Sequence, residues 1–365
     1  MKIGIVTLPL HSNYGGILQA WALQTVLTRM GHDVKVIDKD YRSRKSDWFV
    51  LYPKRILKKY VLKQNVPIFH EKLQYASYLN NTIHTRPFIE KYIERRLVRN
   101  LSDIKKKDFD VYVFGSDQIW RAIYVPSFCS TIADAFGKFA NKWNVIRLSY
   151  AASFGVDNLD EFSKSEIKKV KKELHHFKAV SVRESDGVNI CKKYFDIDAI
   201  HVLDPTLLIS KEEYLNLVDS IPVSKNGILE YILDPDTEKE TIVKNLQTNL
   251  GETVYSPLSY GESQVSVEEW ISGFRDAKMV VTDSFHACVF SIIFQKPFIV
   301  IANPTRGFSR IKSLLKMFNL QHHLVSGTDQ IRSIDSYEID SSVYDALVEW
   351  QHKSIDFLIS ALVKN

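Results

Sequence analysis

Residues 279–301 read MVVTDSFHACVFSIIFQKPFIVI, and this stretch decides the fold. Its apolar start, 279–282, is typical of a buried strand, and a polar turn breaks it. Residues 285–294 follow with a helical apolar pattern, and 298–301 are predicted to form a second buried strand. His286 falls in the first turn of the helix, where backbone N–H groups and the helix dipole favour an anion. The stretch therefore predicts a strand–helix–strand unit with an anion site.

The chain opens with a unit of the same kind. Ile3–Leu8 is predicted to be a buried strand of a parallel sheet, Ile17–Met30 a helix and Val34–Ile37 the next strand. The loop before the helix places Gly15 and Gly16 at the sheet edge where open α/β sheets bind ligands. A simple tight turn is the alternative role for the two glycines. Their spacing does not fit the dinucleotide fingerprint, so no dinucleotide is expected.

The length of 365 residues exceeds the size at which one hydrophobic core stops growing, so two domains are expected. Strands and helices alternate through both halves, which predicts an α/β fold of two Rossmann-type, doubly wound domains facing a central cleft. We assign residues 1–207 to the N-terminal domain and 208–341 to the C-terminal domain. A last helix, 342–365, is predicted to brace the N-terminal domain.

Composition excludes several classes of protein. The formal charge of +5 is too small to argue for nucleic acid and suits an anionic small substrate equally well. Three cysteines without metal-ligand spacing predict reduced thiols, and His175-His176 lacks the i,i+4 spacing of a metal pair, so no metal is expected. The chain starts directly with a strand pattern and contains no apolar run of about 18–20 residues. A cytoplasmic location is expected.

One basic segment stands apart. Residues 42–64 carry eight Lys or Arg and one Asp, interleaved with aromatic and aliphatic residues. Such an amphipathic stretch can lie on an anionic membrane surface at the inner face of the membrane. The alternative is a solvated helix with one packed apolar side. The solvated helix is the favoured interpretation, and peripheral membrane contact is kept as the second.

Polar residues follow two further predicted strands. Ser116, Asp117 and Gln118 come after the strand Val111–Phe114, where Gly115 allows close approach of the backbone to a ligand. Arg183 ends the strand that begins at Ala179. It could bind a carboxylate or phosphate, or form a surface ion pair that contributes little.

Several short motifs at strand ends together resemble the polysaccharide pyruvyl transferase family. They are Ser12-Asn13-Tyr14-Gly15-Gly16, Gly115-Ser116-Asp117-Gln118-Ile119-Trp120, Ser181-Val182-Arg183-Glu184, Asp204-Pro205-Thr206 and Thr282-Asp283-Ser284-Phe285-His286. The resemblance implies a GT-B-like fold. It also implies transfer of a pyruvyl group from phosphoenolpyruvate to sugar hydroxyls of a surface polysaccharide or its precursor, which forms a pyruvate ketal without a cofactor.

The chain departs from this family at two positions. Many members carry Arg-Leu-His where this chain has Ser284-Phe285-His286, and Gly15-Gly16 replaces the common Gly-Asp. The donor anion is then expected to rely on Arg183, His286, the helix N-terminus and either Arg306 or Arg310. A different donor stays open for the same reason.

The chemistry implied by the resemblance assigns roles to three residues. Arg183 would hold the donor carboxylate or phosphate, and His286 would act as general acid or phosphate contact. Asp117, in preference to Asp283, would accept the proton of the sugar hydroxyl, because Asp283 is expected to cap the helix that follows it. The predicted substrate-binding residues are Asn13, Gly15, Gly16, Ser116, Gln118, Ser284 and Arg306.

Two other functions remain open. The same cleft and helix N-terminus would serve a GT-B glycosyltransferase that uses a nucleotide sugar. A non-catalytic component of polysaccharide assembly would need no anion site. The acceptor saccharide, its attachment to a lipid and the oligomeric state are not specified by the sequence.

Overall fold

Two parallel five-stranded sheets organise the chain in the computed structural model, which describes residues 1–363 except 43–44, 66, 224–226, 260–261, 264, 304–306, 328–329 and 332–336. The N-terminal sheet has the order β3-β2-β1-β4-β5, and the C-terminal sheet the order β14-β13-β12-β8-β9. The strands are β1 Lys2–Val6, β2 Asp33–Lys39, β3 Arg95–Val98, β4 Val111–Phe114, β5 Ile146–Ser149, β6 Ser181–Val182, β7 Ile200–His201, β8 Ile228–Tyr231, β9 Val254–Tyr255, β10 Leu258–Ser259, β11 Glu262–Ser263, β12 Met279–Thr282, β13 Phe298–Ile301 and β14 Leu324–Val325.

Helices connect the parallel strands. They are α1 Tyr14–Arg29, α2 Lys45–Tyr60, α3 His70–Asn81, α4 Arg86–Tyr92, α5 Lys164–Leu174, α6 Ser185–Ile190, α7 Lys211–Leu217, α8 Thr237–Leu250, α9 Val267–Asp276, α10 Phe285–Phe294, α11 Phe308–Met317 and α12 Ser342–Leu362. The prediction of an α/β fold with two doubly wound domains is confirmed.

The unit β12-α10-β13 forms as predicted and lies at the centre of the C-terminal sheet. β12 pairs in parallel with β8 on one side and with β13 on the other. All ten residues of α10 are buried, which explains why its sequence is apolar on every side. The carboxyl end of β12 therefore leads directly into a helix held rigidly in the core, and the first turn of that helix is fixed in place.

The first helix starts earlier than the periodicity indicates. α1 begins at Tyr14 because Asn13 caps it, accepting a hydrogen bond from the Gly16 N–H at 3.2 Å. Gly15 and Gly16 thus lie in the first turn of a helix, and the prediction of a loop over 9–16 is wrong for its last residues. The cap was overlooked because the two glycines suggest a turn.

A second prediction also fails. The sequence of Tyr75–Leu97 predicts a helix, but this stretch contains the end of α3, a turn, α4 and most of strand β3. The Thr82 hydroxyl donates to the Tyr78 carbonyl at 2.7 Å at the end of α3, and a proline starts α4. The strand pairs with β2, so long-range pairing decides its conformation.

α12 returns to the N-terminal half of the chain. The Leu203 N–H donates to the Ser354 hydroxyl at 3.0 Å, and the Gln351 amide donates to the Leu207 carbonyl at 2.6 Å. The Phe357 ring packs 6.3 Å from that of Tyr150. These contacts attach the last helix to the segment that joins the two sheets.

Candidate active site

His286 lies where the two domains meet. It occupies the first turn of α10 and is 6% exposed. Its ring rests on the first turn of α1, because a Cβ atom at Gly15 would lie only 2.0 Å from the imidazole Nδ1. The other ring nitrogen, Nε2, is 3.7 Å from Oδ2 of Asp204 and has no hydrogen-bond partner among the described residues. The structure therefore leaves one nitrogen of a buried histidine available to a ligand.

Arg183 is held between two carboxylates at the end of β6. One terminal nitrogen donates to Oδ2 of Asp204 at 2.6 Å, and the other donates to Oδ1 of Asp117 at 3.2 Å. All three side chains are buried, so the interpretation of Arg183 as a surface ion pair is wrong. The guanidinium Nε has no hydrogen-bond partner in the part of the chain that the structure describes. Arg183 thus orders the site and retains one donor for a ligand.

A second buried guanidinium enters from the C-terminal domain. Arg310, in the first turn of α11, lies 3.8 Å from Oδ1 of Asp117. The guanidinium carbons of Arg183 and Arg310 lie 4.5 and 5.5 Å from the centre of the Phe285 ring. Such contacts between cations and an aromatic ring help to keep two like charges close together. Burial and the nearby Arg183 lower the pKa of Arg310 to about 10, which still leaves it charged at neutral pH.

The two carboxylates remain ionised although they are buried. Burial alone would raise the pKa of Asp204, but His286 and Arg183 hold it well below the usual value, and Thr206 donates two further hydrogen bonds. The pKa of Asp117 is likewise lowered by Arg183, His286 and Arg310 against the effect of burial. Both groups are therefore weak bases in the free protein.

Glu184, next to Arg183 in the sequence, is fully buried and different in character. Its Oε1 accepts hydrogen bonds from the Ser153 hydroxyl at 3.0 Å and from the N–H groups of Phe154 and Gly155 at 2.8 and 3.2 Å. Burial raises the pKa of this carboxyl group, opposed in part by Arg183 and Arg310. Glu184 thereby fixes the loop that follows β5 beside the site.

A buried polar chain joins the first and fourth strands behind the site. The Gln19 amide donates to the Thr7 hydroxyl at 3.0 Å and to the Gly16 carbonyl at 2.8 Å, and its oxygen accepts from the Ser116 N–H at 3.0 Å. The Ser116 hydroxyl donates to the Ala151 carbonyl and lies 3.3 Å from Oδ2 of Asp204. Ser116 is thus a supporting group whose polar atoms are already engaged within the protein.

The remaining predicted substrate-binding residues have different surroundings. Gly16 faces Asp117, since a Cβ atom there would lie 3.4 Å from Oδ2, and Ser284 is the buried residue at the start of α10. Asn13 caps α1, and the Gln118 side chain lies 3.4 Å from Arg121, against Gly155. Arg306 lies outside the described residues.

Asp283 does not have the role expected of it. Ser284 is the residue at the N-cap of α10, and no side chain caps that helix. Asp283 instead accepts hydrogen bonds from the Leu233 N–H at 2.7 Å, from the Lys239 ammonium at 3.0 Å and from the Asn303 amide at 2.9 Å. These hydrogen bonds connect the loops of the C-terminal sheet, so Asp283 has a structural role.

Sequence reasoning did not place Asp204 in the site and gave Arg310 only as an alternative to Arg306. Their positions depend on how the two domains face each other, which no local pattern encodes. The acidic residue of Asp204-Pro205-Thr206, directly after a strand, was the available signal for the first. Among the described residues, no group of three or more His, Cys, Asp or Glu side chains could hold a metal ion.

Two parallel α/β domains with a shared site between their facing edges define a GT-B-type protein. The UDP-GlcNAc 2-epimerase from Neisseria meningitidis, solved bound to UDP-GlcNAc, has the same fold with a TM-score of 0.50 and 12% identity, over 100% of this chain and 95% of that one. The UDP-GlcNAc 2-epimerase from Methanocaldococcus jannaschii gives a TM-score of 0.49 at 13% identity, over 95% and 92% of the two chains. At such identities the likeness concerns the fold alone.

The sequence itself gives the family. A family model described as polysaccharide pyruvyl transferase matches residues 13–305, a region that contains Gly15, Asp117, Arg183 and His286. The chain belongs to the polysaccharide pyruvyl transferase family, as its motifs predicted. A search of curated proteins found no match to the chain.

Proposed function

We propose that this protein transfers a pyruvyl group from phosphoenolpyruvate to two hydroxyl groups of a saccharide, forming a pyruvate ketal and releasing phosphate. The observation that supports this best is the meeting of His286 and Arg183 from different domains. Each is buried and keeps one nitrogen without a hydrogen-bond partner among the described residues. Buried polar atoms are normally satisfied, so an orphaned pair at one site points to a missing polar ligand.

The donor anion would be held by three features of the site. Arg310 supplies a buried guanidinium beside Asp117. It would take the role of the arginine that many family members carry where this chain has Ser284. Arg183 offers its Nε, and the first turn of α10 offers backbone N–H groups and the positive end of its dipole. The carboxylates of Asp117 and Asp204 offset much of this charge.

The chemistry requires two carbon–oxygen bonds to form at one carbon. In the first step a sugar hydroxyl attacks C2 of the donor while a proton passes to C3, which becomes the methyl group. In the second step another hydroxyl of the sugar bonds to C2, and phosphate leaves with the electron pair of the broken C–O bond. One hydroxyl proton replaces the proton delivered to C3, and the other leaves with phosphate or solvent.

His286 is the proposed proton donor to C3, a role that contributes roughly 10²–10⁴ in rate. The carboxylate of Asp204 lies 3.7 Å from Nε2 of His286, so an anionic group stands beside the proposed proton donor. Asp117 is the proposed acceptor of the sugar proton. Its low pKa requires that transfer to it accompany bond formation, when the hydroxyl becomes acidic.

The acceptor is proposed to be a saccharide with two hydroxyls that one carbon can bridge, free or linked to a lipid. We place the reaction in the cytoplasm, where phosphoenolpyruvate is made. A nucleotide sugar is the alternative donor, since the epimerase of similar fold is bound to UDP-GlcNAc.

Donor class is tested by thermal shift and calorimetric titration of the whole chain. Phosphoenolpyruvate should raise the melting temperature at concentrations near its dissociation constant, whereas UDP-GlcNAc should not. Stabilisation by UDP-GlcNAc alone would replace the proposed donor with a nucleotide sugar.

Catalysis is tested with phosphoenolpyruvate and a panel of monosaccharide glycosides, with mass spectrometry to detect the ketal. His286→Asn should lower turnover by about 10²-fold or more. The matched control is His176→Asn, which changes an exposed histidine after α5 and should leave turnover intact. Ketal formation by His286→Asn at the normal rate would remove His286 from the mechanism.

Arginine variants require a different choice of substitution. Arg183→Ala would leave Asp117 and Asp204 without their main cation. Breaking a buried pair in this way costs about 3–5 kcal/mol. Arg183→Lys and Arg310→Lys keep the charge and remove the planar set of hydrogen-bond donors. Each should change the free energy of donor binding more than the free energy of unfolding.

A further inference from the structure

An exposed apolar surface lies on α2 and α3, outside the proposed site. Phe49 is 82% exposed, Tyr60 67% and Leu73 60%, and Ile56 and Leu57 are also exposed. On α2 the spacing of these residues puts Phe49, Ile56, Leu57 and Tyr60 on one face of the helix. Val61 and Leu62 continue the exposed apolar surface beyond the end of α2. We call this set the apolar patch.

Basic residues border the apolar patch on α2. Lys54 is exposed on one side of the helical face and Lys59 on the other, and Lys58 is exposed further round the same helix. Residues 42–64 carry eight Lys or Arg and one Asp, a net charge of +7, whereas the whole chain carries +5. The rest of the molecule is therefore net negative by two charges. The segment that contains the exposed apolar face of α2 is thus strongly basic.

The side of α2 next to this face is already packed. Tyr52 is buried, with its ring 5.1 Å from that of Phe69. Arg55 forms two hydrogen bonds with Glu71, at 2.6 and 2.7 Å, and so fastens α2 to α3. The prediction of a helix with a packed apolar side is thus confirmed for one face only. A second apolar face remains in contact with solvent, which needs a separate explanation.

We propose that the apolar patch inserts into the interface of an anionic phospholipid bilayer, with α2 parallel to the membrane surface. Apolar side chains would enter the boundary between headgroups and acyl chains while the bordering lysines bind lipid phosphates. A two-fold contact with a second copy of the chain explains the patch less well, because it would bring the bordering lysines of the two copies together. In the described part of the chain, no helix is long and apolar enough to cross a membrane.

The proposal is tested by flotation of the full chain with phosphatidylcholine vesicles that contain or lack phosphatidylglycerol. The chain should float with the anionic vesicles only, and less so as salt rises. Two triple variants should each lower the partition coefficient by about tenfold or more. One is Phe49→Ser with Leu57→Ser and Tyr60→Ser, and the other is Lys54→Glu with Lys58→Glu and Lys59→Glu.

Matched controls change the same kinds of residue elsewhere. Val223→Ser with Val348→Ser and Ile359→Ser removes exposed apolar side chains outside the apolar patch. Lys168→Glu with Lys171→Glu and Lys172→Glu reverses exposed charges on α5. Both controls should float as the unmodified chain does. The proposal would be overturned if either patch variant floated as well as the unmodified chain. It would also be overturned if the unmodified chain did not float with anionic vesicles.

Light scattering after gel filtration separates the competing occupant. A dimer of the unmodified chain that becomes a monomer when the apolar patch is changed would assign the surface to a second copy, against the proposal. The three apolar substitutions in the patch variant are all at exposed positions, so its melting temperature should not change. An unchanged melting temperature would confirm that the fold is retained. Because the apolar patch is assessed by lipid binding, the result does not depend on whether the donor is phosphoenolpyruvate.

Discussion

Gly15 determines how closely the His286 ring can approach the N-terminal domain. Any side chain at position 15 would occupy the space of the imidazole, since a Cβ atom there would lie 2.0 Å from Nδ1. Gly16, one residue further along the same turn, leaves ordinary van der Waals space, with its nearest neighbours at 3.4 Å. Two adjacent glycines in one helix turn thus have different requirements, which allows a well-controlled comparison.

Gly15→Ala should displace His286 and lower ketal formation by about 10²-fold or more, which corresponds to misplacement of a general acid. Gly16→Ala should retain activity and gain up to about 1 kcal/mol in helix stability, because alanine favours the helix. Ketal mass spectrometry and chemical denaturation measure the two effects. Similar activity of both variants would show that His286 does not need its present position.

The polar residues at strand ends could be identified from the sequence because parallel strands place their carboxyl ends at one edge. This reasoning found Asp117, Arg183 and His286. It could not pair Arg183 with Asp204 or bring Arg310 to Asp117, since these contacts join residues far apart in the chain. It misjudged Asp283 for the same reason: the donors of that carboxylate come from three distant segments.

Secondary structure was predictable where one local pattern dominated. β12 and α10 form over the predicted residues, and Ser266 caps α9 through a capping box with Glu269, as its position indicated. β3 was missed because its pairing with β2 is non-local. Edge strands of this length carry too few residues to show a period of two.

The segment after α11 holds a buried histidine that should make stability depend on pH. His323 directly precedes β14, and its Nδ1 is 2.8 Å from the Phe298 carbonyl. Burial, with a contribution from His322, lowers its pKa from 6.5 to about 4. Between these values the unfolded chain binds a proton that the folded chain does not. The free energy of unfolding therefore falls as the pH decreases from 6.5 towards 4.

His323→Gln should reduce this pH dependence. The lost contribution amounts to about 3 kcal/mol at most over the whole interval, because one pKa unit corresponds to 1.36 kcal/mol. Urea denaturation at several pH values between 4 and 7 measures the slope. His201, whose pKa is also lowered to about 4, should keep part of the dependence in the variant. An unchanged slope in His323→Gln would mean that the ring is protonated in the folded chain.

The two domains share a hydrophobic core as well as a cleft. One continuous cluster of buried side chains contains Ile3 and Ile5 of the N-terminal sheet together with Val280 of the C-terminal sheet. The Tyr14 hydroxyl donates to the Val265 carbonyl at 2.7 Å, and its ring stacks on Trp270 at 5.4 Å. Domains joined by a small polar interface unfold independently, but a shared apolar core couples their stabilities.

Phe290→Ala tests this coupling. Phe290 is fully buried in α10, with its ring 4.9 Å from Tyr214 and 4.8 Å from Trp270, and its removal should cost about 3–5 kcal/mol. If the core is shared, the unmodified chain should show one calorimetric transition. Hydrogen exchange should then accelerate in Phe290→Ala both at β12 and at the distant β1. Acceleration confined to peptides of the C-terminal sheet, with two separate transitions, would show that the domains unfold independently. In that case the position of His286 would depend on the docking of two independently folding domains rather than on a common core. Donor binding should then itself stabilise the contact between the two domains.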